Sequence, residues 1–122
     1  MDQKPSRYAV DGYRVAQQGS WLTVYLIGAC IVAPLTEELL VRGFLFRGWS
    51  QSFLHPAGAI VLSSAAWSLA HTQYDLFYQA EVFSVGLLLG HLRHRSGSTW
   101  LTIMLHVTNN VAAVAWIAAV TR

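Results

Sequence analysis

The stretch with the most reactive chemistry is Thr36-Glu37-Glu38-Leu39-Leu40-Val41-Arg42, two adjacent carboxylates and an arginine in a largely apolar run from Trp21 to Trp49. In lipid, each such charge at a helix centre costs roughly 2.5–3.5 kcal/mol, so an ionisable cluster there is a functional site by default. Glu38 and Arg42 stand at i,i+4 with the acid first, the favoured order for a helical ion pair. Glu37 is turned about 100° away around the helix and has no such partner. The pattern leaves Glu38 held ionised by Arg42 and Glu37 free for proton chemistry. The competing reading is an ion-pair network that only locks a helix in place.

The composition of the chain around these residues points to a membrane. With 122 residues the chain is one domain, and it is 54% hydrophobic and 11% charged against a usual charged share of about 25%. Uncharged runs cover 15–36, 48–74 and 96–121, each long enough for a bilayer core of about 30 Å, which needs roughly 20 residues. Five Trp and five Tyr suit belts at the two membrane surfaces. The expected fold is all-α, an integral membrane bundle of about four transmembrane helices at 21–50, 57–71, 76–93 and 98–120. A polar lead-in, 1–20, precedes the transmembrane core, 21–122, and has no apolar segment of the kind a cleavable signal needs. The first helix should kink at Pro34, because proline removes a backbone bond and clashes with the preceding turn. In lipid such a kink needs protein or water to satisfy the freed carbonyl, as a cavity one turn before the carboxylates would provide. Gly86 and Gly90, four apart, form a small-residue packing face. Cys30 is the single cysteine and reads as a buried thiol. A formal charge of +2 without a basic stripe gives no case for a nucleic-acid partner.

Few other polar groups fall inside the expected helices. His71 closes the second, one turn after Trp67, and His106 and Asn110 share a face of the fourth at i,i+4. At about 1.5 Å per residue, Glu37 lies roughly 15–20 Å from the surface marked by Ser50, Arg93 and Arg95. His71 lies roughly 21 Å up, Asn110 roughly 18 Å and His106 about 12 Å, so three helices deliver polar groups to one layer. His55, His91 and His94 fall near helix ends and read as solvated.

In order and spacing, Glu37-Glu38-xxx-Arg42, Trp67-xxx-His71 and His106-xxx-Asn110 resemble the three motifs of the CAAX protease and bacteriocin-processing (CPBP) family, which includes the Ras-converting CAAX prenyl endopeptidases. Residues 86–100 also look like the family's run between its last two motifs, and the resemblance covers roughly 33–114. Trp67 stands where phenylalanine is usual, and Val41 where an aromatic residue is common. The resemblance implies intramembrane peptide hydrolysis with Glu37, His71, His106 and Asn110 as catalytic residues, supported by Glu38, Arg42 and Trp67. Glu37 suits a general base toward water, His71 can orient that water, and His106 and Asn110 can donate to an oxyanion. In a second version Glu37, His71 and His106 bind Zn2+ with one position left for water. Two other classes compete: a bis-histidine haem cytochrome built on His71 and His106, and a non-catalytic immunity or scaffold bundle. The implied partners are the lipid bilayer, a membrane-associated peptide or protein substrate of CAAX-lipidated or leader-peptide type, and a helper subunit or second copy. The expected location is a prokaryotic cell membrane.

Overall fold

The computed structural model describes residues 4–122, so the first three residues of the lead-in lie outside it. Five helices follow in order: α1 (Arg7–Gln18), α2 (Leu22–Ser50), α3 (His55–Leu69), α4 (Leu76–Ser96) and α5 (Thr99–Val120). No strand occurs among the described residues. The architecture is an all-α helical membrane bundle. By length and composition α2 and α5 qualify as spans on their own. Helix α3 has only 15 residues, and α4 carries Glu81, Arg93 and Arg95. The described part of the lead-in is largely helical rather than featureless. Arg7, Asp11 and Arg14 repeat at i, i+4 and i+7, while Tyr13 and Ala16 are buried, so α1 is amphipathic.

Helix α2 runs through Pro34 without breaking. It does so with two π-helical segments, Gly28–Val32 and Leu39–Leu45, on either side of the α-helical Ala33–Glu38 that carries both glutamates. In the first segment bonds run to the fifth residue back, Ala33 N–H donating to Gly28 O. The next donor in that register would be residue 34, a proline with no N–H, which strands the Ala29 carbonyl. Asn110 Nδ2 on α5 donates to that oxygen at 2.8 Å. The expected disturbance at Pro34 is thus taken up as a π turn and closed by a side chain from another helix.

Helices α3 and α4 form the most extensive helix pair. The turn between them is tied back by Ser68 Oγ donating to Gln79 O (2.7 Å) and Gln79 Nε2 donating to His71 O (3.2 Å). At the crossing, Gly86 lies so close to α3 that a Cβ there would sit 2.9 Å from Ser64 Cβ and 3.2 Å from Trp67 Cε3. Neither neighbour is the loose end of a side chain. Helix α4 ends on Gly97 at φ 70°, and Ser98 caps α5 by accepting from Leu101 N–H. The Gly86→Ala variant should lose about 1–3 kcal/mol of stability through overpacking. Thermal unfolding in detergent, with Gly48→Ala as an open-space control, checks this.

Candidate active site

Glu38 and Arg42 form the expected ion pair, Oε1 to Nη1 at 2.9 Å, and both side chains are fully buried. Each is also bonded to a third element. Arg42 Nη2 donates to Gly86 O on α4 at 3.0 Å, and His106 Nδ1 on α5 meets Glu38 Oε1 at 2.9 Å. Facing a carboxylate oxygen, Nδ1 is the protonated nitrogen that donates, which turns His106 Nε2 outward.

Helix α3 stops before His71 instead of including it, so the histidine lies in the turn that follows. Its Nδ1 donates to the Trp67 carbonyl at 2.7 Å, capping one of the last open carbonyls of α3. That bond fixes the tautomer and leaves His71 Nε2 free. Tyr74 stacks on the other face of the imidazole (5.7 Å between centroids, 11° between planes), and Tyr8 of α1 packs edge-on against Tyr74 at 5.8 Å. Burial pushes the Tyr74 phenol above its ordinary pKa.

The two free Nε2 atoms converge on one oxygen. Glu37 Oε2 lies 3.9 Å from His71 Nε2 and 4.0 Å from His106 Nε2. The same oxygen accepts the indole N–H of Trp67 at 2.6 Å. Glu37 is 28% exposed where Glu38 is sealed, so the two glutamates differ as their spacing predicts. Glu37, His71, His106 and Trp67 are therefore brought together. Asn110 is not in that group, because its Nδ2 is turned to Ala29 O. His55, His91 and His94 are exposed.

Two features were missed from the sequence: the Glu38–His106 bond and the Trp67–Glu37 bond. The indole N–H was the available signal for the second, since a buried tryptophan donor usually finds an acceptor.

The arrangement does not match a zinc site. Ligand atoms about 2.1 Å from a tetrahedral zinc lie about 3.4 Å apart, closer than either Oε2–Nε2 distance here. Among the described residues no trio of His, Cys, Asp or Glu is placed to hold a metal. A haem between the two imidazoles would need the space that Glu37 and the Trp67 indole fill.

Residues 19–112 match the family described as "Type II CAAX prenyl endopeptidase Rce1-like". The chain belongs to that family of membrane-embedded proteases. It is also similar to an "Uncharacterized 24.3 kDa protein" of Escherichia coli, 36% identical over 85 residues. That alignment takes in 67% of this chain and 39% of the relative, so the chain spans about two fifths of its length. No solved structure matches.

Glu38→Gln should destabilise the protein by about 3–5 kcal/mol, because it leaves Arg42 buried without a counter-charge. Folded yield by size-exclusion chromatography is the measurement, and Glu37→Gln should keep its yield. Asn110→Ala should cost about 1–3 kcal/mol by exposing the Ala29 carbonyl to lipid. Adding Pro34→Ala, which restores a backbone donor, should recover part of that loss in thermal unfolding.

Proposed function

We propose that this chain is an intramembrane endopeptidase in which Glu37 activates the water that attacks a peptide carbonyl. The observation that carries the reading is the approach of two imidazole Nε2 atoms to Glu37 Oε2 at 3.9 and 4.0 Å. A water making bonds of about 2.8 Å to the oxygen and to a nitrogen fits between groups so separated. His71, with Nε2 as acceptor, orients one water hydrogen while Glu37 takes the other. The water oxygen bonds to the carbonyl carbon, and the carbonyl oxygen becomes the oxyanion. His106 faces the same point and donates from Nε2 when it is doubly protonated, with its Nδ1–H held on Glu38. Collapse of the adduct breaks the C–N bond, and Glu37 passes its proton to the departing amine. Asn110 keeps one amide hydrogen beyond its bond to Ala29, and its role as a further oxyanion donor rests on the sequence resemblance alone.

The substrate is a membrane-associated peptide, of the CAAX-lipidated or leader-peptide kind. The cell membrane of a prokaryote is the proposed location, in keeping with the bacterial relative.

Cleavage of a panel of membrane-associated peptides by reconstituted protein tests the reading. Glu37→Gln should fold and lose hydrolysis by at least two orders of magnitude, about what a general base contributes. Chelator treatment should leave the wild-type rate unchanged. A stoichiometric metal that disappears from His106→Ala together with activity would replace this mechanism. Equal cleavage by wild type and Glu37→Gln would end it.

A further inference from the structure

Trp67 is packed against groups from α2, α4 and α5. The Arg42 guanidinium carbon lies 4.7 Å above its ring. His71 and His106 meet it edge-on, with centroids at 5.5 and 5.2 Å and planes near perpendicular. Val41 and Leu89 pack against it in the small apolar core, and Gly86 leaves room for its six-membered ring. With only 6% of its surface exposed, the indole is held in its orientation by these neighbours. In that orientation its N–H points at Glu37 Oε2, at 2.6 Å.

Glu37 itself has little else to fix it. It is 28% exposed, lacks the arginine that locks Glu38, and among the described residues accepts one strong hydrogen bond, from Trp67. A glutamate has three side-chain torsions, and an unanchored carboxylate would swing away from the imidazoles. The oxygen the indole holds is the one both Nε2 atoms face. The geometry points to Trp67 as the positioning residue of the site. Its N–H presents Glu37 Oε2 to the water between the histidines, and its ring keeps both imidazoles at their distance. This assignment rests on the proposed hydrolysis for its kinetic consequence, while the hydrogen bond itself does not.

Phenylalanine is the discriminating substitution, because it keeps an aromatic ring between Arg42, His71 and His106 while removing the donor along with the second ring. A hydrogen bond to a charged group is worth about 1.5–3 kcal/mol, roughly 10- to 150-fold. Trp67→Phe should therefore lower kcat by about 10- to 150-fold, leave KM within about twofold and unfold below the wild-type temperature but above Trp67→Ala. Trp67→Ala should lower both stability and activity, since it also removes the ring. An independent readout comes from protein carrying 15N-labelled tryptophan in detergent. The indole resonance that vanishes in Trp67→Phe should lie downfield in wild type and move upfield in Glu37→Ala. Unchanged kcat in a folded Trp67→Phe variant would overturn the assignment, as would an indole resonance indifferent to Glu37→Ala. If wild type cleaves no peptide while the resonance responds to Glu37, the anchoring of Glu37 stands and the proposed function fails.

Discussion

One buried ion pair holds the rest of the structure in register. Glu38 and Arg42 are withdrawn completely from solvent, at a desolvation cost of several kcal/mol per ion, and their mutual attraction offsets this only at close contact. Their value lies in what else they touch. Arg42 reaches the α4 backbone at Gly86, and Glu38 reaches His106 on α5. Three helices are thereby fixed at one height by groups that tolerate little displacement. Leucines in the same places would fill space equally well but would specify no register, because apolar contacts in lipid slide.

The same arrangement separates two neighbours of identical chemistry. Glu38 faces inward to the pair, while Glu37, one residue earlier, faces the two imidazoles and retains some access. The π turns flanking Ala33–Glu38 contribute to this, since each wide turn re-aims the side chains beyond it without breaking the helix. Arg42 lies in the second of them and still closes on Glu38 at 2.9 Å.

Much of this was legible in the sequence, for reasons of cost. Charges in an apolar run are too expensive to be incidental, so Glu37, Glu38 and Arg42 stood out, and helical spacing sorted the two acids. Depth counting brought His71 and His106 to the level of Glu37, although it placed His106 one turn low. Straight-axis counting ignores helix tilt. It also placed Asn110 level with Glu37. There the chain's own solution to Pro34 was invisible, because which carbonyl is stranded depends on whether the preceding turn is α or π. Helix α1 was missed because its charged face dominates its composition, while the buried positions, Tyr13 and Ala16, are few. The orientation of the Trp67 indole depends on packing from four directions, which no linear pattern encodes.

Helix α3 is only 15 residues long, about 22 Å, and it ends just before His71. A bilayer core of about 30 Å exceeds it by several ångströms. The shortfall falls on the turn at Thr72 and Gln73, both exposed, which cannot rest in hydrocarbon without partners. Set in such a bilayer, headgroups and their hydration would follow that end of the helix inward, thinning the leaflet locally. The proposed hydrolysis consumes water, and such a dimple in the bilayer would bring it toward Glu37. Bilayer thickness would thereby become a variable of the proposed reaction, with thicker membranes slowing delivery of its second substrate independently of the peptide.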